Sequence, residues 1–172
     1  MEEQSPVKWS EGIKPRTFRW VISERLAICE RPGGYGTAHR RVRRTEEIIW
    51  ILRSGIDLIV SLTAAPYNLR DYDEHEIEYL HLPFSGAEDG PDHIEHILRT
   101  LHERLATSQI LMHQEAINDK VCGLVGAYIR WSGLVPDGPE AITLTERLLE
   151  RELGPPGRAL IGMVEQLDPP TS

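Results

Sequence analysis

Apolar residues along this chain fall into short runs and longer stripes, and the two patterns alternate. Phe18-Arg19-Trp20-Val21-Ile22 alternates and reads as a strand, and Arg25-Leu26-Ala27-Ile28-Cys29 as a second, with Ser23-Glu24 as the turn between them. Leu58-Ile59-Val60-Ser61-Leu62 is an apolar, partly β-branched run, as expected of a strand buried on both faces. Residues 76–84 read as a strand that stops at Pro83 or just after it, and residues 109–113 as another. Between these lie helical patterns. Ile48, Ile51 and Leu52 predict a helix over 44–54 that stops at Gly55. Residues 68–73 suit a short helix or turn. Ile94, Ile97, Leu98, Leu101 and Leu105 form one stripe on a helix that Asp92 would cap. Three helices close the chain, near 119–131, 139–153 and 156–167.

Strands alternating with helices predict an α/β fold, a central, mainly parallel sheet flanked by helices on both faces. Ligands in such sheets bind beyond the carboxyl ends of the strands. The loops after Leu62, after Phe84 and after His113 lie at such ends. One domain over 18–167 is expected, with an irregular lead-in at 1–17 and a frayed tail at 168–172.

A length of 172 residues supports a sizeable core, since a domain of this size buries roughly 70% of the surface its unfolded chain exposes. No run of about eighteen apolar residues is present, so no membrane span is expected, and the acidic start Met1-Glu2-Glu3 does not read as a secretory signal. Two cysteines, Cys29 and Cys122, are too few for a disulfide framework, and a reducing cytoplasm fits. The net charge of −8 argues against general nucleic-acid binding. Within this acidic chain, His39-Arg40-Arg41-Val42-Arg43-Arg44 is a dense cationic cluster. Its simplest reading is a solvated helix start pairing with Glu46 and Glu47. A functional reading makes Arg40, Arg41 and Arg43 a positive wall beside an anion site, because the arginine fork suits phosphate.

Residues Ile110-Leu-Met-His113-Gln-Glu-Ala-Ile-Asn-Asp-Lys-Val-Cys-Gly123 carry the most chemistry. A strand runs into a polar loop that opens a helix. Free N–H groups and the helix dipole suit such a junction to phosphate. His113, Gln114, Glu115, Asn118, Asp119 and Lys120 crowd this junction and are the candidate ligand-binding residues. On a structural reading, His113 hydrogen-bonds the loop backbone and Asn118 or Asp119 caps the helix. No metal site and no cofactor are implied. His93 and His96 read as solvated residues of one helix, without the converging ligands zinc needs. Cys122 reads as a small buried hydrophobe, Trp20 and Trp50 as packing residues, and Trp9 as packing or a partner surface.

The order of these pieces resembles the dual-specificity branch of the protein tyrosine phosphatase superfamily. Gly55-Ile56-Asp57-Leu58-Ile59-Val60-Ser61-Leu62-Thr63 looks like that family's segment ending in the first central strand. Glu78-Tyr79-Leu80-His81-Leu82-Pro83 resembles the strand leading to its general-acid loop. Met112-His113 and the helix through Gly126, Ala127 and Tyr128 resemble its strand, phosphate loop and helix. The family's loop reads His-Cys-x-x-Gly-x-x-Arg-Ser/Thr-Gly. On that pattern His113 matches the leading histidine, while Gln114 falls at the nucleophilic cysteine, Ile117 at the glycine, Lys120 at the arginine, Val121 at the hydroxyl residue and Cys122 at the final glycine. Gly86 falls at the general-acid position.

Each departure has a consequence. The family's cysteine attacks phosphorus as a thiolate, whereas a carboxamide forms no phosphoenzyme. Ile117 is strained at a positive-φ position, so a reshaped loop is expected. Lys120 offers a point charge in place of a two-pronged grip. Neither Cys29 nor Cys122 has an arginine six positions on; Tyr35 and Tyr128 stand there. Loss of a nucleophile that acts in a unit costs about a millionfold in rate. The resemblance therefore implies a phosphatase-like protein, catalytically impaired, that binds a phosphorylated or anionic ligand or protein partner. Two alternatives stand beside it. One is a hydrolase using Glu115, Asp119 or His113 as acid or base, or as ligands to a hard cation. The other is a purely structural interaction protein.

Overall fold

The computed structural model describes residues 12–34 and 40–171. Trp9, Tyr35 and His39, named above, lie outside the described residues. Five strands, β1 (Arg19–Ile22), β2 (Leu26–Glu30), β3 (Leu58–Ser61), β4 (Glu78–His81) and β5 (Ile110–Gln114), form one sheet in the order β1-β2-β5-β3-β4. Among the described residues only the β1–β2 pair is antiparallel. The other three pairs are parallel, with β5 central between β2 and β3. The helices are α1 (Arg41–Arg53), α2 (Leu69–Glu74), α3 (Pro91–Leu105), α4 (Asp119–Trp131), α5 (Gly138–Leu149) and α6 (Pro155–Met163). This is the mainly parallel α/β sheet, covered on both faces, that the alternating pattern predicts.

Because side chains alternate along each strand, the sheet has two buried faces. Leu26, Ile28, Leu58, Val60, Ile110 and Met112 meet the stripe of α3 and the buried residues of α4 and α6. Ala27, Cys29, Ile59 and Leu111 meet Ile48 and Ile51 of α1 and Tyr72 of α2. Helix α4 is buried nearly all round, and only Asp119, Lys120 and Arg130 escape full burial. Its close approach to α6 rests on glycine: a Cβ on Gly123 would stand 2.5 Å from the Gly157 Cα.

The element boundaries differ from the sequence pattern where local chemistry decides. Helix α1 starts at Arg41, so its first turn is cationic against the helix dipole and, among the described residues, has no side-chain cap. Ion pairs from Arg43 to Glu47 and from Arg44 to Asp71 offset that cost. Helix α3 starts at Pro91 with Gly90 at the N-cap, because proline is preorganised for the first helical position. Asp92 therefore sits in the first turn and caps nothing. Helix α5 stops at Glu150, which is left-handed (φ 52°). A short 3-10 turn, Val164–Gln166, extends α6. The tail is tied at its first residue: Asp168 N donates to Glu95 (2.6 Å), and Trp131 Nε1 donates to the Asp168 carbonyl (2.7 Å).

The Gly123 contact is backbone against backbone, so no side chain can yield. Gly123→Ala should destabilise the fold by about 1–3 kcal/mol, read as a lowered urea midpoint with an unchanged slope.

Candidate functional site

Four chain segments converge beyond the carboxyl ends of the parallel strands: residues 31–34 after β2, 62–68 after β3, 82–90 after β4 and 115–118 after β5. Gln114, the last residue of β5, ties them together. Its Nε2 donates to the Leu62 carbonyl (2.8 Å) and to the Phe84 carbonyl (3.2 Å). Its Oε1 accepts from the Glu115 N–H (3.0 Å). Both amide hydrogens and the amide oxygen thus have partners, and the group at the head of the loop is a neutral cross-link.

Glu115 turns toward β2. Its carboxylate meets the Arg31 guanidinium at 2.9 and 3.3 Å. Arg31 is only 4% exposed. Its N–H donates to the Gln114 carbonyl (2.8 Å), its Nη1 donates to Asn68 Oδ1 (3.3 Å), and its guanidinium lies 4.2 Å from the Tyr67 ring centroid. Asn68, left-handed at φ 67°, is held in turn by donating to the Pro32 carbonyl (2.7 Å). Nothing in the local sequence marks Arg31 or Asn68 as site residues; three segments far apart in the chain bring them together.

The remaining candidates separate by role. Asn118 caps α4, accepting from the Val121 N–H (3.1 Å). Asp119 caps a different helix: its two oxygens accept from the Gly154 and Gly157 N–H groups (2.7 and 2.6 Å), at the start of α6. With both oxygens so committed, Asp119 is poorly placed to move protons. Lys120 reaches across to the loop after β4 and pairs with Glu88 (2.7 Å). That contact draws the Glu88 carboxyl below its ordinary range. Gly86 lies beneath this pair at φ 136°, where a Cβ would approach Lys120 Cδ to 2.9 Å, so its backbone and surroundings both disfavour an acidic side chain. Asp89 accepts from the Ser85 N–H (2.7 Å). Arg40 and Arg41 are exposed at the start of α1, while Arg43 pairs with the buried Glu47. Of the cationic candidates the structure brings only Lys120 to the β5–α4 junction, and it brings Arg31 there as well. His93 is not simply solvated: its Nε2 donates to the Pro83 carbonyl (2.5 Å). Among the described residues no cluster of three or more His, Cys, Asp or Glu could hold a metal ion.

His113 does not bond the loop backbone. It is fully buried, and neither ring nitrogen has a hydrogen-bond partner among the described residues. The register places it beside Cys29 on β2 and Ser61 on β3, with Tyr72 packed over it at 5.8 Å between ring centroids. Burial first, then the positive charge of Arg31 and the neighbouring His81, pushes its pKa down to about 3. The imidazole is therefore neutral at pH 7. Burial also raises the Cys29 thiol well above its ordinary value, reinforced by Glu47 and Glu30. Burial raises the Cys122 thiol too. Neither sulfur is a ready thiolate.

The depressed pKa of His113 links stability to pH. Below an ordinary histidine pKa of about 6.5 the unfolded chain binds a proton that the folded chain refuses until about 3. Stability is thus lost as pH falls through that window, by up to about 1.4 kcal/mol per pH unit from this residue. Urea unfolding at pH 7 and pH 5 should show a smaller acid loss for His113→Leu than for the wild type. An identical loss in both would contradict the assignment.

No family profile matches the sequence, and no curated protein sequence matches it. Solved structures do match. Kinase associated phosphatase, with its catalytic-site cysteine substituted by serine, superposes at a TM-score of 0.72 with 17% identity, covering 89% of this chain and 96% of that one. Tk-PTP in its active form gives 0.66 with 18% identity over 88% and 98%. The core catalytic domain of the PP-IP phosphatase SIW14 from S. cerevisiae, in complex with citrate, gives 0.64 with 16% identity over 89% and 88%. Identities this low speak to architecture alone, and the architecture is consistent across them: the chain has a dual-specificity phosphatase-like fold.

Proposed function

We propose that this protein is a phosphatase-fold binding protein without cysteine-phosphatase chemistry, which recognises a phosphorylated or otherwise anionic ligand or partner at the β5–α4 junction. The observation that carries the reading is Gln114. At the head of the loop stands a carboxamide whose hydrogen bonds hold the Leu62 and Phe84 carbonyls, in place of a thiolate facing solvent. Gly86, the residue that the resemblance puts at the general-acid position, lies under a Lys120–Glu88 pair. Two things favour an anionic ligand: the N-terminus of α4 and the half-exposed Lys120. Acid–base hydrolysis by Glu115, Asp119 or His113 has less support. The first is ion-paired, the second caps α6, and the third is buried and neutral.

Turnover of a generic aryl phosphate tests the catalytic half. Wild type and Gln114→Cys should both stay at the rate of the buffer blank. The variant should also be less stable by about 1–3 kcal/mol, since two carbonyls lose their donor. Robust wild-type turnover would overturn the reading. Thermal shift with phosphate, sulfate and tungstate tests the binding half. A rise in midpoint that is weakened in Lys120→Ala is expected, and a flat response to every anion would contradict it.

A further inference from the structure

Of the cationic candidates that the sequence singles out, Lys120, Arg40 and Arg41 reach the surface and Arg43 is paired with Glu47, whereas a buried guanidinium, that of Arg31, stands at the junction. Arg31 is 4% exposed, and among the described residues its charge is compensated by a single carboxylate, that of Glu115. Asn68 and Tyr67 fix its orientation without neutralising it. A guanidinium out of water needs a hydrogen-bonded anion, since removing one partner from such a pair leaves a charge that costs far more than the pair itself gains. Glu115 differs from Arg31 in two ways. Its side chain is 35% exposed, and it stands on the four-residue loop between β5 and α4 rather than inside an element. Glu115 is thus the more exposed partner of the pair, with its Oε1 buried against Arg31, while the cation is fixed.

Resting on the reading above, we infer that Arg31 is the anion receptor of this protein, with Glu115 as a built-in ligand that an external oxyanion displaces. The ligand is one that presents two oxygens to the face of Arg31 where Glu115 now sits at 2.9 and 3.3 Å, either a phosphate monoester or a carboxylate. The exchange needs no proton and breaks no covalent bond. One anion leaves the buried guanidinium as another arrives, so Arg31 is not left unpaired. The same exchange frees the loop: Glu115 follows Gln114 directly, and its N–H is held by the Gln114 side chain. Occupancy at Arg31 is thereby coupled to the shape of residues 115–118, a route by which anion binding would be reported to a partner. The site also accounts for a lysine at the loop's arginine position. The two-pronged grip comes from the segment after β2 instead of from α4.

Calorimetric titration with inorganic phosphate and, separately, with acetate tests this. Wild type should bind phosphate weakly, because Glu115 competes. Glu115→Gln keeps the side-chain shape, removes the competing charge, and should bind about tenfold or more tightly, as expected when a receptor held in a closed state is opened. Glu115→Gln/Arg31→Gln pairs two neutral amides and should lose the gain. Arg53→Gln, an exposed change at the far end of α1, should match wild type. Tighter phosphate with unchanged acetate in Glu115→Gln assigns a phosphate monoester, and tighter acetate assigns a carboxylate. Should Glu115→Gln fold poorly, a tungstate-soaked crystal of the wild type supplies the answer, with the anion expected in contact with Arg31. Binding of the same strength in wild type, Glu115→Gln and the double variant would overturn the inference while leaving an anion-binding protein. Absence of binding in all of them would overturn both readings. Tungstate seated away from Arg31 would overturn the inference alone.

Discussion

The central strand of this sheet ends at a place where three other chain segments must be held, and a single side-chain amide holds two of them. Gln114 donates to carbonyls after β3 and after β4 and accepts from the next residue of its own loop. A thiolate could not do this, because it offers no donor. The amide at the head of the loop is therefore spent on cohesion. The remaining features of the site follow from this. With the loop anchored by Gln114, Glu115 is directed at Arg31, and Asn118 and Asp119 are left to cap two helices.

Charge at the junction is balanced internally. Arg31 faces Glu115, Lys120 faces Glu88, and Asp119 faces the N–H groups that open α6. These pairs differ in weight. Lys120 and Glu88 are both well exposed, so water and salt screen them. Arg31 is shielded, so its attraction for an anion is far less screened. Beneath this layer His113 stays neutral, since a positive imidazole would be buried close to Arg31. The contrast between a screened surface pair and a shielded inner one is why the proposed recognition is assigned to Arg31 rather than to the loop lysine.

Much of the fold was legible in the residue pattern. The apolar run at β3, the stripe of α3 and the glycine-containing helix α4 lie where hydrophobic periodicity puts them, and their order predicts the parallel sheet. Local boundaries were less legible, because proline at position 91 and the left-handed Glu150 override the stripe. The site was legible only as a location. Its head, the β5–α4 junction, follows from a strand passing into a polar loop. Its wiring does not. Asp119 caps a helix whose first residue lies 36 positions later. Lys120 meets Glu88 across the sheet end, and Arg31 meets residues from two other loops. Such contacts are set by tertiary geometry and leave no periodic mark. His113 matched the leading histidine of a phosphate loop in type, yet its bonding partner is missing among the described residues, which no reading of spacing could reveal.

The question of whether this junction still forms a bond to phosphorus has a direct answer in the mass of the protein itself. Incubation with an aryl phosphate, followed by acid quenching and intact-protein mass spectrometry, reads any covalent intermediate irrespective of its turnover. The account predicts one species at the unmodified mass. A second species heavier by one phosphoryl group, on any residue of the β5–α4 loop, would contradict it.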